Sequence, residues 1–169
     1  MQLVSYYKDE QDQLAILVDG LLYDTDLMHP GLPVSMGMFL NYWEDVYPVA
    51  IEVDKIIREG KVSAKQGVSI DEVAVLCPVP HPVSLRDAYA FRQHAEMARR
   101  NRNAAMIAEF DQFPVFYFSN HTSLQGPGDI NCMPDHLQKL DFELEVAIVI
   151  CKPCKNIKAE EADEYIGGF

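Results

Sequence analysis

The ten residues from Asp141 to Ile150 alternate acidic and apolar side chains before the run becomes wholly apolar. A period of two is typical of a β-strand, in which residues two apart point to the same face. The pattern predicts a strand with Asp141, Glu143 and Glu145 on one face. Like charges lined up in this way repel unless something compensates them. A hard divalent cation such as Mg²⁺ or Ca²⁺ would do so because it prefers carboxylate oxygens, and an acidic surface strand is the alternative.

The first 75 residues have the pattern of a small α+β domain. Apolar runs at 14–18 and 21–23 flank Asp19-Gly20, a pair that suits the type I′ turn of a β-hairpin. Helices are predicted over about 35–43 and 45–58. Gly60 follows the second helix and suits a left-handed C-terminal cap. A further strand is predicted over 73–76.

A proline-rich stretch at residues 77–82 forces an extended chain, and we place a domain boundary there. Beyond it, Ser84 is predicted to cap a helix that runs to about Arg100. A buried strand over 113–118 and a turn at 126–129 complete the pattern. We therefore expect an α+β, β-rich chain with an N-terminal domain at 1–75 and a second domain at 76–169.

The composition limits the classes of partner. Of the 169 residues, 49% are hydrophobic, which is enough for a core, and 26 Asp and Glu against 14 Lys and Arg give a net charge of -12. Such a balance argues against nucleic-acid binding, which relies on basic surface. The sequence has neither a secretory signal pattern nor an apolar run of about 18 residues, the length needed to span a membrane. We expect a cytoplasmic protein without a membrane partner.

The four cysteines include the pair Cys151 and Cys154, separated by Lys-Pro. A zinc site usually needs a second such pair, and only the single Cys77 and Cys132 remain. A redox pair is expected at the start of a helix, whereas this one follows a predicted strand. Free thiols are the expectation, and metal binding or redox use is the alternative.

Asp87 and His94 are seven residues apart in the predicted helix, which is about two turns, so the two side chains would share a face. A carboxylate and an imidazole on one face suit a metal ligand and a general base. The alternative is a surface aspartate and a histidine of an amphipathic helix.

Five motifs in this order and spacing resemble the fumarylacetoacetate hydrolase family over about residues 76–169. They are Arg-Asp-x-Tyr-x-x-x-Gln-His, Phe-Pro-Val-Phe-Tyr, Gly-Pro-Gly-Asp, Asp-Phe-Glu-Leu-Glu-Val-Ala, and the closing pair Ile-Cys-Lys-Pro-Cys-Lys-Asn-Ile and Asp-Glu-Tyr-Ile-Gly-Gly-Phe. Before residue 76 the resemblance is weak. It implies that the chain is the N-terminal half of a longer protein, in which the second domain is the first part of a mixed β-roll, incomplete at its C-terminus.

The resemblance also implies roles for individual residues. Metal ligands would be Asp87, Glu143 and Glu145, the general base that activates water would be His94, and substrate contacts would come from Tyr89, Tyr117 and Arg102. An arginine of some family members aligns with Asn103, and Arg102 lies beside it. The cysteine pair stands where the family often has glycines, which argues against a metal role for it.

The activity implied is metal-dependent hydrolysis of a carbon–carbon bond in a 1,3-dioxo acid of the fumarylacetoacetate or acylpyruvate type. The cation would be Mg²⁺, or alternatively Mn²⁺ or Ca²⁺, since oxygen-only sites accept all three. The resemblance further implies a homodimer. Decarboxylation, isomerisation or dehydration of a 2-oxo acid stays open, and so does a non-catalytic metal-binding or small-molecule-binding module.

Overall fold

The computed structural model describes all 169 residues, which divide into two compact units. The larger unit contains residues 1–80 and 125–169, and the smaller contains residues 81–124. The fold mixes helices and sheets, as the sequence predicted. The predicted domains at 1–75 and 76–169, and the β-roll, stay predictions.

A five-stranded antiparallel sheet forms the main part of the larger unit. Its strands are β1 (Leu3–Lys8), β2 (Gln11–Val18), β3 (Leu21–Asp24), β4 (Val68–Ser69) and β5 (Ala74–Val75), in the order β4-β3-β2-β1-β5. Asp19 and Gly20 join β2 to β3 with φ of 50° and 79°. Positive φ at both central positions is the requirement of a type I′ turn, so the predicted hairpin is confirmed.

Three helices follow the hairpin: α1 (Thr25–Met28), α2 (Met36–Asn41) and α3 (Trp43–Arg58). Ser35 caps α2, because its hydroxyl accepts a hydrogen bond from the backbone N–H of Met38 at 3.4 Å. At the end of α3, Gly60 has a φ of 69°, and its N–H and that of Lys61 bond back to the last turn. This is the Schellman arrangement, so the predicted helix end is confirmed.

The core of the larger unit lies between α3 and the sheet. Leu14, Ile16, Phe39 and Ala50 are completely buried there. On the helix, the buried positions recur at spacings of three and four, which places them on one face: Val46, Ala50, Val53 and Ile57.

A short hairpin, β8 (Val149–Ile150) with β9 (Ile166–Gly168), belongs to the same unit. Of the strand predicted over 141–150, only residues 149–150 form a strand, and they do so in this hairpin. Residues 141–148 have no strand beside them to supply ladder hydrogen bonds. Phe142, Leu144 and Val146 are 80–93% exposed, so no other element covers these apolar side chains. The strand prediction for residues 141–148 is therefore wrong.

The smaller unit contains β6 (Leu85–Ala88), α4 (Arg92–Asn101) and β7 (Phe116–Ser119). The predicted helix from Ser84 is wrong at its start, since residues 85–88 form an antiparallel ladder with β7. This pairing satisfies the backbone groups of residues that by local pattern would be helical. Asp87 lies on a strand, and the prediction that it shares a helix face with His94 is wrong.

The strand predicted over 113–118 begins at Phe116 and is not buried. Phe116, Tyr117 and Phe118 are between 46% and 73% exposed. A two-stranded ladder leaves both of its faces open unless another element covers them.

Short 3₁₀ turns connect these elements, at Ala64–Gln66, Ile70–Glu72, Ala108–Asp111, Pro134–Lys139 and Ala159–Tyr165. All four cysteines are free, as predicted. None of the helices combines the length and the hydrophobicity that a membrane span requires.

Gly126 is expected to be essential for the packing of the larger unit. A Cβ at this position would clash with the carbonyl oxygen of Val75 on β5, which the backbone cannot accommodate without shifting. We expect Gly126→Ala to lower the free energy of unfolding by about 3 kcal/mol, the upper end of ordinary overpacking. Gly37→Ala is the matched control, since its Cβ meets nothing within 4 Å and alanine favours the helix. Urea denaturation measures both, and equal stability of the two variants would contradict the close approach.

Tyr6 makes the stability of the larger unit sensitive to alkaline pH. Its hydroxyl donates to Asp24 Oδ1 at 2.6 Å, and burial, followed by this hydrogen bond, raises the pKa of Tyr6 well above its ordinary value. The stabilisation is complete below the pKa of the unfolded side chain, about 10, and is lost as the pH rises above it. Tyr6→Phe is therefore expected to flatten the fall in stability above pH 10 by up to about 1.4 kcal/mol per pH unit. Tyr7→Phe removes an exposed hydroxyl and should keep the wild-type dependence of the free energy of unfolding on pH. The same dependence in wild type, Tyr6→Phe and Tyr7→Phe would show that Tyr6 is not the group that titrates.

Candidate active site

Asp87 lies on β6 directly opposite Tyr117 on β7. Residues paired in this way place their side chains on the same face of a ladder. Asp87 is half-buried and forms no ion pair, so its carboxylate is available to a ligand.

Arg86 does not neutralise this carboxylate. Its neighbouring position on the strand places it on the other face of the ladder, where its guanidinium lies 3.9 Å from the ring centre of Phe118. This cation–π contact leaves Asp87 uncompensated by the basic residue next to it in sequence.

His94 is the third residue of α4 and is exposed. Its ring centre lies 5.8 Å from that of Tyr89, with the two planes tilted by 47°. The backbone N–H of Tyr89 donates to the carbonyl of Val115 at 3.1 Å, which fixes the chain between β6 and α4. The imidazole itself forms no hydrogen bond.

Arg92 anchors the helix that carries His94. Its guanidinium forms ion pairs with Glu96, at 2.8 Å, and with Asp111, and it lies over the ring of Phe110. The hydrogen bond that the guanidinium donates to the Asp111 carboxylate is the first cause that raises the pKa of Arg92. The sequence interpretation did not include this residue, although the spacing of four between Arg92 and Glu96 is typical of a helical ion pair.

Arg102 caps the C-terminal end of α4, where its backbone N–H donates to the carbonyl of Arg99 at 3.1 Å. Its side chain is exposed and forms no ion pair. A shallow pocket of about 470 Å³ nearby is lined by six other residues, namely Glu96, Arg99, Arg100, Asn103, Ala104 and Met106. The structure thus leaves Arg102 free for an anion without placing it in this pocket.

Glu143 and Glu145 belong to the larger unit, whereas Asp87 belongs to the smaller one. Carboxylate oxygens of the two glutamates lie within 4.8 Å of each other. Both side chains are exposed and neither is paired with a lysine or arginine. Two uncompensated carboxylates at this separation are a donor set that fits a hard divalent cation.

Within its units, the structure brings the predicted residues together in pairs: Asp87 with Tyr117, Tyr89 with His94, and Glu143 with Glu145. Arg102 joins none of these pairs. The roles of all seven residues stay predictions.

Residues 84–169, about half of the chain, match the family model described as fumarylacetoacetate hydrolase, C-terminal. The chain belongs to the fumarylacetoacetate hydrolase family. The resemblance carried by the motifs from Arg86 to Phe169 is thereby confirmed.

Relatives in this family extend the likeness to residues before 84. The chain is 26% identical to the mitochondrial oxaloacetate tautomerase Fahd2a of Rattus norvegicus over 155 residues, which cover 90% of this chain and 44% of that protein. It is 29% identical to fumarylacetoacetate hydrolase domain-containing protein 2 of Pongo abelii, over 89% of this chain and 43% of that protein. It is 25% identical to the mitochondrial oxaloacetate tautomerase fahd2 of Xenopus laevis, over the whole chain and 50% of that protein. The chain thus spans half or less of the length of these relatives.

Proposed function

We propose that this chain forms part of a divalent-metal-dependent enzyme that interconverts the keto and enol forms of a small 2-oxo dicarboxylic acid such as oxaloacetate. The observation that carries the proposal is the likeness, over about nine-tenths of the chain, to proteins named oxaloacetate tautomerases. This choice moves the isomerase alternative ahead of hydrolysis.

Metal binding is assigned to Glu143, Glu145 and Asp87. The uncompensated charge of the two neighbouring glutamates and the unpaired carboxylate of Asp87 support the assignment. A cation held by these oxygens supplies Lewis-acid charge that stabilises an enolate. Mg²⁺ is the proposed ion, with Mn²⁺ or Ca²⁺ as alternatives.

His94 is assigned the proton transfer. In tautomerisation, one ring nitrogen takes a proton from the carbon next to the substrate carbonyl, and the proton returns to the carbonyl oxygen, so no atom is gained or lost. Imidazole suits this role because it both accepts and donates a proton near neutral pH. The exposure of His94 and the absence of a competing hydrogen bond support the assignment.

Tyr89, Tyr117 and Arg102 are assigned to the substrate. The two phenol hydroxyls would donate hydrogen bonds to substrate oxygens, and both tyrosines stand beside a proposed catalytic or metal-binding residue. The guanidinium of Arg102 would pair with a substrate carboxylate, a geometry that arginine matches with two parallel hydrogen bonds. A homodimer and a cytoplasmic location stay predictions.

Hydrolysis of a 1,3-dioxo acid is the second candidate, favoured by the description of the family model that matches residues 84–169. In that reaction His94 would take its proton from a water molecule that attacks a carbonyl carbon. Incubating the protein with oxaloacetate and, separately, with an acylpyruvate distinguishes tautomerisation from hydrolysis. Enol–keto conversion of the first supports tautomerisation, cleavage of the second supports hydrolysis, and neither reaction would favour a non-catalytic binding module.

Glu143→Gln is expected to weaken the binding of Mn²⁺ by roughly tenfold or more and to lower turnover with it, because a charged ligand is lost. Calorimetric titration with Mn²⁺ measures the first effect. Glu160→Gln is the matched control, since Glu160 is an exposed glutamate of the same unit, and it should leave the affinity unchanged. Equal affinities in the two variants would remove Glu143 from the metal site.

His94→Ala is expected to keep Mn²⁺ affinity but to lower turnover by about 10²–10⁴-fold, the usual contribution of a general acid–base group. His136→Ala, which removes another exposed imidazole, should retain wild-type turnover. Wild-type turnover in His94→Ala would show that another group moves the proton.

A further inference from the structure

The segment of residues 141–148 has the alternation of a strand but no backbone partner. No backbone–backbone hydrogen bond involves any of its residues, and a side chain satisfies a single N–H, that of Phe142, which donates to Asp141 Oδ1 at 2.9 Å. Every residue of the segment is exposed. Its peptide groups are therefore open to hydrogen bonds from another molecule.

A row of large apolar side chains accompanies this open backbone. They stand at every second position and are 52–93% exposed: Phe142, Leu144, Val146 and Ile148. In an extended chain, residues two apart share one face. Soluble proteins rarely leave such a row uncovered unless it meets another molecule. The segment thus offers both contacts by which an added strand binds, namely backbone hydrogen bonds and an apolar face.

The alternate positions of the same segment are acidic, namely Asp141, Glu143 and Glu145. Carboxylate oxygens of the two glutamates lie within 4.8 Å of each other, and none of the three acids is paired with a lysine or arginine. A partner strand places its own side chains directly opposite these acids, where like charges destabilise the pairing and opposite charges stabilise it. Charge complementarity therefore favours basic residues at these positions of the partner.

The same charges oppose pairing of this segment with the same segment of a second copy. A parallel arrangement in register places each acid beside its own counterpart. An antiparallel arrangement that keeps both apolar rows on one face places acids opposite acids as well. The net charge of -12 on each chain adds to this repulsion.

We propose that residues 141–148 are a docking site for an extended segment of another polypeptide that alternates apolar and basic residues and adds to them as a β-strand. Backbone hydrogen bonds join the two strands, and the apolar residues of the partner cover Phe142, Leu144 and Val146. Its basic side chains lie opposite Glu143 and Glu145 and also speed the encounter. A metal ion on these two glutamates competes with the basic side chains, so docking is measured in EDTA.

The first test compares three fluorescent peptides of eight residues by anisotropy. One alternates lysine and valine, one has its four lysines before its four valines, and one alternates glutamate and valine. We expect the alternating lysine peptide to bind roughly tenfold more tightly than the block peptide, because only alternation places valines along the apolar row. The glutamate peptide should not bind. Equal affinity of the two lysine peptides would reveal unspecific attraction to an acidic protein and overturn the proposal.

Variants of the protein locate the docking site. Replacing Leu144 and Val146 together by serine removes half of the apolar row and should weaken binding of the alternating peptide by roughly tenfold or more, since burial of these side chains favours docking. Ile130→Ser is the matched control, because Ile130 is 71% exposed in the same unit but lies outside the segment. It should bind the peptide like wild type. Wild-type affinity in the double variant would place the peptide elsewhere and refute the proposed site.

Amide hydrogen exchange tests whether docking forms a strand. One edge of a strand uses the N–H of every second residue, so saturating peptide should slow exchange at alternate positions of residues 141–148 by roughly tenfold or more. The amides of β2, which are already paired on both sides, serve as the internal control. Unchanged exchange throughout residues 141–148 would contradict strand addition.

Sedimentation velocity separates this partner from a second copy. Without peptide, wild type and the double serine variant should sediment alike. A wild-type assembly that dissociates in the double variant would show that a second copy covers the apolar row, and the proposed partner would be wrong.

Discussion

Packing of α3 on the five-stranded sheet is the interaction on which the larger unit depends. One face of a 16-residue helix meets the inner face of β2, and the side chains between them, such as Ile16 and Ala50, are completely buried. A small sheet cannot hold itself together in water without such a cover. The same helix begins at Trp43, so the packing that stabilises the sheet also fixes the residue that lies against β9 and the neighbourhood of Cys151.

Charge is the second constraint, and it connects the fold to the proposed chemistry. The chain has a net charge of -12, yet both of its buried aspartates have partners: Asp24 is held by Tyr6 and Lys8, and Asp54 by Arg58. The carboxylates of Asp87, Glu143 and Glu145 have no such partners. The charge of buried acids is thus compensated, whereas the charge of these three carboxylates is not. The three carboxylates are therefore available to a cation, as a metal-dependent member of the fumarylacetoacetate hydrolase family requires.

Two of the predictions that failed concern strand pairing. Residues 85–88 were expected to be helical, but they form a ladder with residues 116–119, about thirty positions away. Residues 141–148 have the alternation of a strand, but no neighbour in the chain pairs with them. Periodicity records which face a side chain would occupy, whereas a strand exists only where another backbone supplies its hydrogen bonds.

The sequence by itself determined the features that depend on neighbouring residues. The Asp19-Gly20 turn, the cap at Ser35 and the helix end at Gly60 each follow from the conformational preferences of one or two residues, and the family motifs follow from order and spacing. Only the tertiary structure decided that Asp87 faces Tyr117, that Tyr89 lies beside His94, and that Cys151 is buried near Trp43. These contacts join residues from 5 to more than 100 positions apart, and no local preference encodes them because they depend on how separate elements pack.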